Sequence, residues 1–216
     1  MKMKRLKNII KGILPARFSL YLKEIISNEK RLQEVEENLY KILKEIKIKG
    51  KSQKEILKSS EFKIYSQNGE DGIINYIFSK IGMKNKRFIE FGIENGRQCN
   101  TALLSILDGW EGLLIEGSEK NSKEARIYYN KRLVNPEKVK IINAFVTKEN
   151  INNIFKRNNF SGEIDLLSID IDGNDYWVWK TINTISPRVV VVEYNAFFGD
   201  KSITVSYDKD FERYKK

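Results

Sequence analysis

Histidine is missing from this chain of 216 residues, and only one cysteine, Cys99, is present. Without histidine, His–Asp catalytic relays and histidine-ligated metal sites are excluded. A general base therefore has to be a carboxylate, a tyrosine or a lysine. A single cysteine cannot form an intrachain disulfide, so a reducing compartment is the default expectation.

Long apolar runs are absent as well. No stretch reaches the roughly 18 apolar residues that a membrane span needs. Charged residues interrupt every N-terminal apolar stretch before the core of a signal peptide can form. These absences predict a cytoplasmic protein. The length of 216 residues is enough for one domain with a substantial core and an appendage.

Positive charge is unevenly distributed along the chain, whose net charge is +10. Residues 1–60 carry 16 basic and 7 acidic residues, whereas residues 61–216 carry 23 and 22. A basic protein raises the hypothesis of nucleic-acid binding. Because the larger part is almost neutral, we expect no nucleic-acid partner.

The N-terminal part has two helical patterns. Residues 1–17 hold six basic residues, no acid, and apolar residues at helical spacing before Pro15. This pattern predicts a basic amphipathic helix in peripheral contact with the inner face of a membrane, or a solvated terminus.

Residues 18–46 repeat apolar residues every seven positions, which predicts either a coiled-coil homodimer or a helix packed on its own domain. A polar run near 50–55 predicts a linker, so the expected domains are 1–55 and 56–216.

Five short apolar runs, rich in β-branched residues, start near positions 87, 112, 139, 165 and 188. The starts lie 23 to 27 residues apart, with polar or helix-like segments between them. Such alternation is typical of βα units. The sequence therefore predicts a doubly wound, mostly parallel α/β sheet with an N-terminal helical extension.

The loop after the first run combines glycines with acids: Gly92 and Gly96 with Glu90 and Glu94. A phosphate about 4 Å from Glu90 would be disfavoured by roughly 4 kcal/mol per unit charge at an effective dielectric constant near 20. S-adenosylmethionine carries a sulfonium and an ammonium and has no phosphate, so it fits this charge better. The alternative is a tight turn with solvated acids.

The second and third runs end in residues that suit an adenosyl group. Glu116 lies 26 residues after Glu90, where an acid binds ribose hydroxyls in dinucleotide sites. Asn143, Ala144 and Phe145 follow the third run, where an adenine ring could lie. The alternatives are a surface glutamate and a core phenylalanine.

The fourth run is followed by Asp170, Asp172 and Asp175. These carboxylates repel one another, and a substrate, a divalent cation or a cationic cofactor would offset the repulsion. A D-x-D pair is also how many glycosyltransferases hold a metal ion. The structural alternative is that Asp172 or Asn174 caps the next helix.

Two further motifs have a structural and a functional interpretation. In YSQNGED, Ser66 or Asn68 is expected to cap a helix, and Tyr65 with Gln67 is a candidate lid. After the fifth run, Asn195 either orients a substrate hydroxyl or stabilises a turn.

These motifs in combination resemble the FkbM-like branch of the class I S-adenosylmethionine-dependent methyltransferases, over roughly residues 62–212. The motifs are YSQNGEDGII, FIEFGIENGRQCNT, GWEGLLIEGS, LLSIDIDGNDYWVWK and RVVVVEYNAFFG. The resemblance implies a Rossmann-like class I sheet and methyl transfer to oxygen of sugars or secondary metabolites.

By this resemblance Asp170 and Asp172 face the methyl group and the acceptor, and a larger set lines the cofactor. With the lid candidate added, that set is Gln67, Glu90, Gly92, Gly96, Asn100, Thr101 and Glu116. The loop GIENG departs from the family's commoner GANDG form. The chain also ends 22 residues after the fifth run, so we expect a truncated sheet lacking two strands.

The predicted function is O-methylation of a hydroxyl on a sugar, glycan or related small molecule, with S-adenosylmethionine as cofactor and no metal ion. Asp172 or Asp170 would take the hydroxyl proton as general base. The alternatives are a glycosyltransferase-like enzyme using the D-x-D acids with Mn²⁺, and an inactive truncated methyltransferase that acts as an association module.

Overall fold

The computed structural model describes residues 27–38, 40–41 and 53–211. The chain divides into two units, Met1–Ile48 and Lys49–Lys216. The described residues of the first unit are helical, as the heptad pattern predicts, and Leu32 and Val35 are about half exposed. Residues 1–17 and the rest of the heptad segment lie outside the described residues. No helix in the described ranges is long and apolar enough to cross a membrane.

The second unit contains one sheet whose strands pair in parallel in the order β3-β2-β1-β4-β5. The strands are β1 (Arg87–Phe91), β2 (Glu111–Glu116), β3 (Val139–Asn143), β4 (Gly162–Ile169) and β5 (Ile185–Val192). The first three begin within one residue of the predicted positions, and β4 and β5 begin three residues earlier. The predicted parallel α/β sheet is confirmed.

Helices alternate with these strands, so each parallel pair is joined by a crossover. They are α1 (Gln53–Ser59), α2 (Glu70–Ile81), α3 (Ala102–Ile106), α4 (Glu119–Arg132), α5 (Ile151–Arg157) and α6 (Asp175–Thr181). Helix α4 begins where the Ser118 hydroxyl accepts a hydrogen bond from the Asn121 N–H at 3.3 Å. Two 3-10 turns, Pro136–Lys138 and Ala196–Phe198, complete the regular structure described.

One face of the sheet packs on α5 and α6. Ile89 and Phe91 of β1 share a buried cluster with Phe155 of α5 and Val178 of α6. Burial of each such side chain contributes about 1.5–3 kcal/mol. Because side chains alternate along a strand, Glu90 points to the opposite face.

The amino-terminal half of β4 is fixed by a buried carboxylate, Asp165. Its oxygens accept hydrogen bonds of 2.7–3.0 Å from the backbone N–H groups of residues 84–86. Arg188 of β5 donates to it at 2.6 Å. Burial alone would raise the pKa of Asp165, but the bonds from Arg188 and the backbone outweigh it and lower the pKa below its usual value. The carboxylate thus joins β4, β5 and the segment before β1.

Candidate active site

The carboxyl ends of the strands open into a cavity of about 780 Å³. Strand β1 lies between β2 and β4, which is the point where the strand order reverses. Loops leaving β1 and β4 diverge at such a point and form a crevice, which is the usual ligand site of doubly wound sheets. A volume of this size suits a cofactor or a drug-sized ligand.

Glu90, at the end of β1, organises the loop that follows it. Its carboxylate accepts hydrogen bonds from the N–H groups of Asn100 and Thr101 at 2.9 and 3.0 Å. The hydroxyl groups of Thr101 and Ser168 also donate to it, at 2.6 and 3.2 Å. Burial raises the pKa of Glu90 despite these bonds. Its side chain therefore folds residues 92–101 back onto the strand end, at one wall of the cavity.

Gly92 lets the β1 loop touch the end of β4. It has a φ of 83°, and a Cβ there would lie 1.4 Å from the carbonyl oxygen of Asp170. A side chain at this position is excluded, so backbone meets backbone at the base of the cavity. Gly96, with a φ of 78°, instead packs against Ala125 and Tyr129 of α4.

Glu116 ends β2 and is 8% exposed. One of its oxygens accepts a hydrogen bond from the Ser118 N–H at 2.8 Å, and burial raises its pKa. The Asn143 side chain donates to the Glu116 carbonyl at 2.8 Å and so ties β3 to β2. Phe145, 54% exposed, borders the same part of the cavity. A carboxylate and an aromatic residue thus both line the cavity where an adenosyl group is expected.

The loop before α2 is fixed by Asp71, which is buried. One of its oxygens accepts three backbone hydrogen bonds, of 2.7–2.9 Å, from residues 64–66. The Ser66 hydroxyl accepts one from the Asp71 N–H at 3.0 Å. The N-cap position itself is Gly69, not Ser66 or Asn68 as predicted, since the chain turns through a left-handed residue there. This loop places Gln67 in the cavity wall.

Two acids that follow β4 and one that follows β5 come together in the cavity wall. Carboxylate oxygens of Asp170, Asp172 and Glu193 lie within 4.8 Å of one another, so these three could hold a metal ion. Burial, with repulsion from Glu193 and Asp172, raises the pKa of Asp170 to about 7. With this pKa, Asp170 changes its charge near neutral pH.

Asp175 is the acid that stabilises the turn after β4. Its two oxygens accept hydrogen bonds of 2.8 Å from the N–H groups of Ile171 and Gly173. Asn174 occupies the N-cap position of α6, but its side chain does not cap the helix. It bonds to Asp208 instead. The N-cap of α6 is thus Asn174 rather than Asp172, and Asn174 does not cap the helix through its side chain.

The structure brings most of the predicted site residues into one cavity wall. Those in the wall are Gln67, Glu90, Gly92, Asn100, Glu116, Asp170 and Asp172. Gly96 and Thr101 lie behind it, in the packing of α4 and the bonds to Glu90. Asn195 also lies outside, where its side chain accepts a hydrogen bond from the Phe197 N–H at 3.1 Å and stabilises a turn.

Sequence reasoning did not single out four residues that the structure adds to the site, one of which is Glu193 of the acid cluster. Ser168 links Glu90 to Asn100. Its hydroxyl donates to the Glu90 carboxylate and accepts a hydrogen bond from the Asn100 side-chain amide at 3.1 Å. Tyr194 and Phe211 line the cavity beyond β5. One sequence signal could have identified Tyr194: it directly follows Glu193, an acid at the end of a strand.

No protein-family model matches this chain, and no curated protein matches it. Solved structures of methyltransferases match it in part. An O-methyltransferase from Bacillus cereus in complex with SAH shares 15% identity over 84% of this chain and 70% of its own, with a TM-score of 0.39.

A SAM-dependent methyltransferase from Thiobacillus denitrificans, in complex with S-adenosyl-L-homocysteine, shares 10% identity over 66% of this chain, with a TM-score of 0.40. Coclaurine N-methyltransferase bound to N-methylheliamine and SAH shares 15% identity over 77% of this chain, with a TM-score of 0.33. This chain spans 55% and 52% of these two proteins. Identities and scores of this size do not assign the activity of those proteins to this chain.

Proposed function

We propose that this protein is an S-adenosylmethionine-dependent methyltransferase that methylates a hydroxyl of a sugar, a glycan or a related small molecule. The observation that carries the proposal is the meeting of Glu116 and Asp170 in one cavity, at the point where the strand order reverses. These acids suit the two ends of one cofactor: the ribose hydroxyls and the reacting centre. The FkbM-like motifs support the same assignment and suggest oxygen as the acceptor atom.

The charge of the cavity fits this cofactor. In the described part of its wall there are seven carboxylates and no lysine or arginine: Glu70, Glu90, Glu94, Glu116, Asp170, Asp172 and Glu193. A dinucleotide would bring phosphates into this negative field, whereas a sulfonium and an ammonium are attracted by it. When bound, the cofactor supplies an electrophilic methyl group on its sulfonium sulfur.

Each proposed cofactor residue has a distinct task. Glu116 would accept hydrogen bonds from the ribose hydroxyls. Gly92 would keep its part of the cavity wall free of a side chain. Gln67 and Asn100 border the cofactor from opposite loops. The backbone of the β1 loop is held in place by Gly96, Glu90 and Thr101. These three would therefore affect the cofactor through the shape of that loop.

Asp170 is the proposed general base. With a pKa of about 7 it is largely ionised just above neutral pH and still basic enough to accept the acceptor's hydroxyl proton. Asp172, held at a φ of 53°, places a second carboxylate beside it. Alignment of the hydroxyl with the methyl group supplies most of the acceleration in such a displacement.

Calorimetry with S-adenosylmethionine tests the cofactor assignment. We expect binding that survives EDTA and weakens about tenfold or more in Glu116→Ala, which loses charge-assisted hydrogen bonds. Glu111→Ala is the matched control, because Glu111 lies at the other end of the same strand and its side chain is 53% exposed. Absence of binding, or equal affinities for the two variants, would disprove the assignment.

A second candidate function is favoured by the cluster of Asp170, Asp172 and Glu193, whose spacing suits a divalent cation. A glycosyltransferase-like enzyme would use such a cation to hold the phosphates of a sugar nucleotide. It predicts Mn²⁺-dependent binding of UDP-glucose or a similar probe, abolished by EDTA. Binding of S-adenosylmethionine in the presence of EDTA separates the two functions.

The N-terminal unit is proposed to mediate association. Leu32 and Val35, both heptad positions, are about half exposed, as expected for a helix that pairs with a second copy. Deleting residues 1–50 should then convert a dimer to a monomer in sedimentation experiments. A dimer that survives the deletion would exclude the coiled coil as its interface. The proposed membrane contact of residues 1–17 is tested separately, by flotation with anionic vesicles.

A further inference from the structure

The segment after β5 has no helix or strand between residues 201 and 211, yet α6 and the turn before it hold it at two points. The Trp177 indole N–H donates to the Val205 carbonyl at 2.7 Å. The Asn174 amide donates to the Asp208 carbonyl at 2.7 Å and accepts from the Asp208 N–H at 3.4 Å. Residues 203–211 are called the strap below.

A third anchor lies on the loop before α5. The Tyr207 hydroxyl donates to the Glu149 carboxylate at 2.6 Å, and the Lys148 ammonium lies 4.0 Å from the ring centre. Helices α5 and α6 are neighbours, since Asn152 donates to the Thr181 carbonyl at 2.8 Å. The strap therefore crosses the N-terminal ends of both helices at the carboxyl edge of the sheet.

The strap ends at Phe211, whose ring forms part of the cavity wall. The ring packs on Gly173, where a Cβ would lie 2.9 Å from it. Gly173 directly follows Asp172, so the ring stands on the β4 side of β1. Glu116 stands on the β2 side, where the adenosyl group is proposed. Phe211 is thus placed beside the acids that would meet the acceptor.

We propose that Phe211 contacts the methyl acceptor and helps to select it, and that Asn174 is the positioning residue that holds the strap in place. The proposal rests on the methyltransferase function proposed above. An aromatic ring beside carboxylates offers an apolar surface and hydrogen-bond acceptors together. This combination suits a ring with one apolar face and several hydroxyls, such as a pyranose.

The test compares Phe211→Ala with Phe197→Ala, an identical change at a ring that is 99% exposed and outside the cavity. The probes are S-adenosylhomocysteine, measured by calorimetry, and a pool of alkyl hexosides and deoxyhexosides incubated with methyl-labelled S-adenosylmethionine. For Phe211→Ala we expect kcat/KM for the preferred acceptor to fall about tenfold or more, through KM, with an altered product pattern. Affinity for S-adenosylhomocysteine should stay within about twofold, and Phe197→Ala should match the wild type.

The role of Asn174 is tested with a double-mutant cycle. If Asn174 acts through Phe211, the acceptor KM of Asn174→Ala combined with Phe211→Ala should equal that of Phe211→Ala alone. Hydrogen exchange in residues 203–211 should also become faster in Asn174→Ala. Additive losses, or unchanged exchange, would overturn the positioning role.

Two outcomes separate the proposals. An unaltered KM and product pattern in Phe211→Ala, with an active wild type, would overturn the role of Phe211 and leave the methyltransferase assignment intact. A wild-type protein that binds no S-adenosylhomocysteine and labels no acceptor would overturn the methyltransferase assignment and the role of Phe211 with it.

Discussion

Two aspartates, one in the amino-terminal half of β4 and one directly after its carboxyl end, look alike in sequence and differ in physical state. Asp165, in the amino-terminal half, is buried and accepts hydrogen bonds from three N–H groups and an arginine. Asp170, one residue past the carboxyl end, lines the cavity and stands among other acids. The pKa of Asp165 is lowered, while that of Asp170 is raised to about 7. One end of the strand stabilises the fold, and the other is available for chemistry.

The largest expected effect is on stability at the amino end. Asp165→Ala leaves Arg188 without its carboxylate partner and three N–H groups without an acceptor, so the free energy of unfolding should fall by about 3–5 kcal/mol. Urea denaturation followed by tryptophan fluorescence measures it, because all three tryptophans lie in the larger unit. Asp170→Ala, the control, should lose less than about 1 kcal/mol. Equal losses would remove the distinction between the two ends.

The second expected effect is on turnover at the carboxyl end. Asp170→Asn should lower kcat about 100-fold, the usual cost of losing a general base, with little change in affinity for S-adenosylhomocysteine. In the wild type, kcat should rise with pH and level off above about pH 7, since only the ionised Asp170 accepts a proton. Asp172→Asn, measured alongside, identifies the base, because the larger loss marks it. Full activity in Asp170→Asn would exclude the role proposed for it.

The two ends should also give opposite slopes of stability against pH. Asp170 binds its proton more tightly in the folded protein, so the free energy of unfolding should fall as pH rises from about 4 to about 7. Asp165 binds its proton less tightly, so its contribution is present above about pH 4 and is lost as pH falls further. Urea midpoints measured across pH 3–8 test this. Asp170→Asn should lack the fall in stability between about pH 4 and 7, and Asp165→Asn should lack the loss of stability below about pH 4. Identical profiles would contradict the assigned pKa directions.

The smallest expected effect lies between the two ends. Ser168→Ala removes the hydroxyl that bonds to both Glu90 and Asn100, at a cost of about 1 kcal/mol. Cofactor affinity should fall only slightly, because Glu90 keeps its bonds from the backbone of the β1 loop. A loss as large as that of Asp165→Ala would mean that the site and the scaffold are not separate along this strand.

The sheet could be predicted because its signals are local. Apolar runs at a regular pitch identify parallel strands, and acids at strand ends identify the edge where ligands bind. The same reasoning treated Asp175 as one more repelling acid. Its carboxylate in fact accepts two N–H groups of its own turn, a role that depends on the fold of that turn.

Other roles depend on partners that are distant in sequence. Asp165 is 79–81 residues from the N–H groups that it binds, and no local pattern distinguishes it from Asp170. Phe211 reaches the cavity only because the strap is anchored on α6 and on the loop before α5. Sequence patterns therefore located the site but could not divide its residues between scaffold and chemistry.

The close approach of Gly92 to the carbonyl of Asp170 has a consequence for redesign. At this contact the cavity wall is main chain, and a side chain in place of Gly92 would force the loop after β1 away from the end of β4. Under the proposed function, new acceptor specificities would be introduced at Tyr194 and along the strap instead. Libraries confined to those positions would vary the ligand while leaving the sheet intact.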